Sequence, residues 1–331
     1  MSSVEKTPGS KSFLSVQVIV LGLVGWAVLA LLFFALFGIT ARGETRPLWY
    51  SLGTSIFEAT AFLVAALLCF RNWGSSQIVS GRSVWLNIGL GMFFYFLGNL
   101  LFSYWELSLG LEPAVSPGDF FFVLTYIFLL IGMVQAVFSR RLNLELWQKG
   151  VVAGIAIVGI AIAVSLANKP IEATATLLIG QPAYAQAQPA PAAPASPAPV
   201  ATPAPEAVPA GEQRPQPPEW ATNLEKQLQP LEGPITLFYL VCDTLLLVLA
   251  TTLLLAFWGG RFSQSWRMIA IAAFFLYLGD MWFKYATRDP NYQSGSLPEV
   301  AWVFSGVFFG IGAALEYDLS VRSRRAGSRR R

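Results

Sequence analysis

The chain has 331 residues, of which 55% are hydrophobic and only 12% charged, with a formal net charge of +3. Its mean hydropathy is +0.55, the composition of a polytopic membrane protein rather than a soluble one. It contains no histidine, which excludes histidine-ligated haem, chlorophyll or zinc, the commonest general base and any phospho-accepting histidine. No cofactor or metal site is therefore suggested. With no nucleophile–base pair and no phosphate-cradling loop, the chain reads as a binding protein rather than an enzyme.

A transmembrane helix needs about 20 apolar residues. Eight such runs occur, at roughly 13–39, 50–70, 84–105, 118–138, 150–168, 234–258, 266–286 and 298–317, so the expected fold is an all-α integral membrane protein with eight spans. The first run is too long for a secretory h-region and is expected to be retained. Cys69 and Cys242 both lie inside apolar runs and read as small core residues. The repeat described below puts them about twelve helical positions apart, roughly 18 Å, too far for a disulfide.

One set of loops and termini holds Lys6, Lys11, Arg71, Arg82, Arg140, Arg141, Lys149, Arg261 and Arg267, followed by the tail SVRSRRAGSRRR. The opposite loops are poorer in basic residues and carry Glu44, Glu112, Glu172, Glu206, Glu212 and Asp289. Basic loops stay inside, so both termini are expected in the cytoplasm of a bacterial cell, with the chain in the plasma or an internal membrane. The arginine tail fits a topogenic stop and attraction to an anionic leaflet.

Between the fifth and sixth spans, Gln181 to Pro218 holds 12 of the 21 prolines. Such a tract cannot bury a core and reads as an extended spacer. Ala183-Tyr184-Ala185 resembles a signal-peptidase site, but a chance match in an Ala-rich tract explains it as well. Trp220 to Leu231 is expected to form a short interfacial helix with Trp220, Leu224 and Leu228 on one face.

The chain is written twice. Gly98 falls on Gly279 and Tyr104 on Tyr285 (279 − 98 = 285 − 104 = 181), while Ser116 falls on Ser296 and Gly132 on Gly312 at an offset of 180. Trp85 matches Trp266 at 181; Glu58 matches Asp243, and Trp73 matches Trp258, at 185. Four spans per copy is an even number, so the copies should cross with the same polarity. The expectation is two tandem four-helix repeats with parallel pseudo-two-fold symmetry. The boundaries read as a cytoplasmic N-terminus 1–12, a first repeat 13–138, a cytoplasmic loop and fifth helix 139–168, the extracytoplasmic linker 169–233, the sixth to eighth helices 234–317 and a cytoplasmic tail 318–331.

Ionisable side chains at bilayer depth cost about 2.5–3.5 kcal/mol each even on lenient insertion scales. Here they gather in the outer half, leaving the cytoplasmic half apolar apart from loop charges. Glu58 and Asp243 have no basic residue at i±3 or i±4 and should face the bundle interior. Asn99 and Asp280 are repeat twins; Asp280 and Lys284, at i and i+4, can pair on one face. Asp119 after Ser116-Pro117-Gly118, and Glu299 after Ser296-Leu297-Pro298, read as helix-cap residues. Glu106, Lys284 and Arg288 have no like counterpart in the other copy and read as the asymmetric rim of an outward-facing pocket. The candidate ligand-binding set is therefore Glu58, Asp243, Asn99, Asp280, Glu106, Lys284 and Arg288. Phe102, Tyr104, Trp105, Trp282, Phe283 and Tyr285 crowd the same ends, where aromatic residues anchor spans at the interface. Gly150-x-x-x-Gly154 and Gly306-x-x-x-Gly310 read as helix-packing seams.

The stretch LGNLLFSYWELSLGLEPAVSPGDFFFVLTYIFLLIG resembles the multi-pass sensor regions of some bacterial diguanylate cyclases and sensor kinases. The likeness rests on Gly98, Asn99, Trp105, Glu106, Ser116 and Asp119. It implies sensing of a membrane or periplasmic cue. The sequence carries no cyclase or kinase motif, so a separate cytoplasmic or membrane protein is expected to read the state. The leading expectation is a stand-alone membrane sensor or ligand-binding protein; the alternatives are a subunit or assembly factor of a larger membrane complex, and a small-solute or ion transporter. Expected partners are membrane lipids, such a protein and a second copy of the chain, and nucleic acid is not among them.

Overall fold

Inside a bilayer every backbone N–H and C=O must be paired within the chain, which leaves helices and closed barrels as spanning structures. The computed structural model describes residues 15–39, 45–111, 115–138, 144–168, 217–256, 263–289 and 292–328, and among them the regular structure is helical. The order is α1 (Val16–Phe37), α2 (Leu48–Gly74), α3 (Arg82–Ser103), a π-helical turn (Tyr104–Ser108), α4 (Gly118–Phe138), α5 (Leu146–Asn168) and a short α6 (Glu219–Leu228). A 3₁₀ turn (Gln229–Leu231) leads into α7 (Glu232–Ala256), followed by α8 (Ser263–Ala286), a second 3₁₀ turn (Leu297–Glu299) and α9 (Val300–Ser328). Among the described residues eight helices are long and apolar enough to cross a membrane, one for each expected run. Lys6, Lys11, Glu44, Glu112, Arg140, Arg141, Glu172, Ala183 to Ala185, Glu206, Glu212, Trp258, Arg261 and the linker over 169–216 lie outside the described residues.

Successive spans alternate in direction, so the bundle has two ends. The linker end carries the α3–α4 connection, α6 and the α8–α9 connection; the terminal end carries the start of α1 and the finish of α9. Three features set how the helices begin. Ser15 Oγ accepts from Val18 N at the start of α1, Pro47 with φ −60° leads into α2, and Gly81, at φ 99°, leads into α3. The last is a conformation that favours glycine.

The core runs through the middle of α2, α3, α4, α7, α8 and α9, with Phe62, Trp85, Ile88, Met92, Leu129, Leu253, Trp266 and Ile269 fully buried. α4 packs on α3 and α7, and α9 packs on α8, α2 and α1. The helices cross closely at glycines. A Cβ on Gly118 would lie 2.7 Å from the carbonyl oxygen of Gly98, and one on Gly306 would lie 2.9–3.1 Å from Ala61 and Phe62 N. The Gly306–Gly310 seam is thus a real crossing of α9 with α2 and α1. Gly150 and Gly154, in contrast, have open space before them, so that pair packs against nothing in the described chain. α5 rests on α7 and α8 and exposes Ile157, Val158, Ile160 and Val164.

The short helix α6 forms as expected, but its docked face is different. Ala221 and Leu224 pack on Trp105, Leu109 and Leu111, while Trp220 is half exposed beside the Trp105 ring.

The terminal half is less apolar than the sequence suggests. Glu316 of α9 is fully buried and accepts hydrogen bonds from Ser80 Oγ (2.6 Å), Ser265 Oγ (2.9 Å) and Ser320 Oγ (3.5 Å), and Trp85 Nε1 donates to Ser80 (2.7 Å). This node ties α9 to α8 and to the α2–α3 connection. The expectation that polarity is confined to one depth is corrected here.

The Gly118 crossing carries a prediction. Gly118→Val forces side-chain atoms against the α3 backbone, which cannot give way as a flexible side chain would. Thermal unfolding of the purified protein should show a loss of about 1–3 kcal/mol; an unchanged midpoint would contradict the close crossing.

Candidate functional site

Helical spacing aims several polar side chains at one place. Ser51, Thr54, Ser55 and Glu58 follow one face of α2; Tyr95, Asn99 and Ser103 follow one face of α3; Asp119, Phe122 and Tyr126 do so on α4. With Tyr239 of α7, Asp280 and Lys284 of α8, Glu299, and Trp302 of α9, they line a cavity at the linker end. Its volume, counted as space open to the centre of a water molecule, is about 100 Å³. One water needs roughly 10–15 Å³ on that scale, so the cavity has room for several waters or a compact small molecule. Phe34, Phe102, Phe122, Phe283 and Trp302 supply apolar walls.

Two polar clusters sit in these walls. In the first, Tyr95 OH donates to Glu58 Oε1 at 2.8 Å and the Asn99 side chain is a second partner of Glu58. The Tyr95 ring is held by stacking on Phe62 at 3.6 Å. In the second, Tyr126 OH lies 2.6 Å from Asp243 Oδ1 and also contacts Asp280 Oδ2, while Trp302 Nε1 donates to Asp280 Oδ1 at 2.7 Å. A phenol has one proton to donate. It can therefore donate to only one of the two carboxyl oxygens at a time.

The rim is built by helix caps. Ser116 N (2.7 Å) and Ser116 Oγ (3.3 Å) donate to Asp119 Oδ2, and Tyr239 OH donates to Asp119 Oδ1 at 2.7 Å. Gly295 N donates to Glu299 Oε2 at 2.7 Å, and Ser296 N and Oγ donate to Oε1 at 3.1 and 2.6 Å, forming a capping box. Tyr50 OH then closes the loop by donating to Gly295 O at 2.7 Å. Both acids have the local cap geometry that Ser-x-x-acid spacing implies, and both also face the cavity.

Of the other sequence-derived candidates, Glu58, Asn99, Glu106, Asp280 and Lys284 line the cavity together. Asp243, 1% exposed, stands one layer behind, reached through Tyr126. Arg288 does not line it. The expected pairing of Asp280 with Lys284 is not formed. Both Asp280 oxygens are taken by Tyr126 and Trp302, and Lys284 Nζ turns to Thr236 Oγ1 (3.3 Å) and the Tyr239 ring (5.4 Å) on α7. Donors from other helices displaced the same-helix partner.

Tyr95, Tyr126, Tyr239 and Trp302 were missed as polar partners. Their signal was present in their helical register: Tyr95 lies four residues before Asn99, Tyr126 seven after Asp119, and Trp302 three after Glu299. Among the described residues no three Cys, Asp or Glu side chains converge as metal ligands. Against models of protein families, curated proteins and solved structures, the chain has no match.

Tyr126→Phe removes the donor facing both Asp243 and Asp280 and should cost about 1–3 kcal/mol, read as a lowered unfolding midpoint. Tyr239→Phe leaves Asp119 with its Ser116 donors and should cost less. Equal losses would mean that Tyr126 does not hold the acid pair.

Proposed function

We propose that the chain is a membrane sensor or ligand-binding protein of a bacterial membrane, which takes a small polar ligand in the linker-end cavity and is read by a partner protein. One observation carries this reading. A cavity lined by Glu58, Glu106, Asp280, Lys284 and aromatic side chains lies where α2, α3, α4, α7, α8 and α9 converge, so a ligand there touches nearly every helix at once. Apolar walls with a few convergent polar groups are the usual make-up of a small-molecule site. Beneath it, Ile88, Met92, Leu129 and Ile269 are fully buried. That filled core favours binding over passage across the membrane.

Two tandem repeats with a parallel pseudo-two-fold axis belong to the same reading. A Cβ at Gly98 would meet the Phe122 ring, and one at Gly279 would meet Trp302, which is Phe122 displaced by 180 (302 − 122). Gly132 faces Ile88 and Gly312 faces Ile269, and α4 packs on α7 as α9 packs on α2. The first helices of the halves differ in part: α1 rests on α2 as α5 rests on α7, but α1 also packs on α9 whereas α5 touches α8. With the basic loops at the terminal end, both termini are cytoplasmic and the cavity faces outward.

The test is copurification. The wild type and the double variant Glu58→Gln/Asp243→Asn are extracted at equal yield, and small molecules are released and identified by mass spectrometry. A compound enriched with the wild type should fall about tenfold or more in the variant, with membrane insertion unchanged. Identical small-molecule content in the two preparations would sink the reading.

A further inference from the structure

We infer that the cavity takes a zwitterion: a protonated amine with N–H donors joined to an anionic group, either free in solution or carried as a lipid headgroup. The inference rests on the cavity being a ligand site. It follows from two mismatched polar groups in its wall.

The first calls for a donor. Asn99 lines the cavity and is only 5% exposed. It is a side-chain partner of Glu58 and turns its amide nitrogen to that carboxyl, with the oxygen left outside the contact. That oxygen is buried and has no hydrogen-bond partner. Buried polar atoms are nearly always paired, so an orphan in a cavity wall calls for a missing group. An amine would meet this oxygen and the open lone pairs of Glu58; a quaternary ammonium, lacking N–H, could not.

The second calls for an anion. Lys284 carries three N–H donors, yet its one hydrogen bond is to the neutral Thr236 hydroxyl at 3.3 Å. No carboxylate of the described residues is within ion-pair distance of it. Four acids act on it from beyond that distance, Asp119, Asp280, Glu232 and Asp243; Asp280 is bonded by Tyr126 and Trp302, Asp119 by Ser116 and Tyr239, and Asp243 by Tyr126. A partly enclosed ammonium with carboxyl groups near it but none in direct contact leaves N–H donors for an anionic ligand group. Phe102, three residues beyond Asn99, and Phe283, adjacent to Lys284, meet at 6.1 Å. An apolar wall thus joins the two polar ends and suits a short methylene spacer. A cation alone would leave Lys284 facing like charge, and an anion alone would leave Asn99 unmatched.

The full chain is placed in phosphatidylcholine nanodiscs and tryptophan fluorescence, to which Trp302 in the wall contributes, is titrated. The zwitterionic probes are O-phosphoethanolamine, glycine and 4-aminobutyrate; the controls are ethanolamine, inorganic phosphate and phosphocholine. At least one zwitterion should saturate with affinity about tenfold or more above every control. Asn99→Leu and Lys284→Met should each weaken it by about tenfold, and Lys284→Arg should restore most of the loss. Discs containing phosphatidylethanolamine separate the sources: a lipid ligand competes with the soluble probe, and a free one is indifferent to the disc. Ethanolamine binding as tightly as the zwitterions, with Lys284→Met without effect, overturns the zwitterion and leaves the cavity a cation site. Saturation by none of the zwitterions also overturns it, and the copurification measurement then judges the site separately. The probe comparison is made on the wild type, so it holds even where a variant fails to fold.

Discussion

A carboxyl group at bilayer depth is held away from bulk water, so the protein supplies hydrogen-bond donors to it. In this chain the donors are chiefly phenols and indoles on neighbouring helices. Tyr95 of α3 serves Glu58 of α2, Tyr126 of α4 serves Asp243 of α7 and Asp280 of α8, Tyr239 of α7 serves Asp119 of α4, and Trp302 of α9 serves Asp280 of α8. Every one of these bonds crosses a helix boundary. The acids therefore fix which helices meet at the linker end, and the space they hold open is the cavity. Deeper in the bundle, contact is set by apolar packing and close glycine crossings.

How far this could be read from the sequence depended on the range of the interaction. Spans are continuous apolar runs, so all eight were legible from composition alone. Caps depend on residues three apart, so the Ser116–Asp119 and Ser296–Glu299 pairs were legible too. The partners of Glu58, Asp243 and Asp280 were not, because each is set by how distant helices pack. The same-helix rule that joins Asp280 to Lys284 is worth only about 0.2–0.5 kcal/mol, and two donors from other helices outweighed it. Glu316 is not legible as a buried group, because it sits beside Tyr317 and Asp318 at the end of an apolar run, where it resembles a loop charge. Its burial comes from Ser80, Ser265 and Ser320, none of them conspicuous in the sequence.

The connection after α3 shows how a small sequence difference becomes geometry. Tyr104 and Ser116 are one residue further apart than Tyr285 and Ser296 (116 − 104 = 12; 296 − 285 = 11). α3 ends in the π-helical turn Tyr104–Ser108, the kind of widened turn that takes up an extra residue and recurs at functional sites. It buries Trp105 against Ala221 of α6 and brings Glu106 to the cavity. On the proposed reading the shared features of the halves build the frame, and Glu106 and Lys284, where the halves differ, give the cavity its polarity.

On the proposed reading a cavity open to the linker side sits above a sealed core, and substituted-cysteine labelling reads that arrangement. Cys69 and Cys242 are buried, at 0% and 5% exposure, and give a low background. Ser55→Cys, in the cavity wall, should react in intact cells with a small membrane-impermeant thiol reagent, and Met92→Cys, in the core beneath, should not. Labelling of both positions, or of neither, would contradict that arrangement.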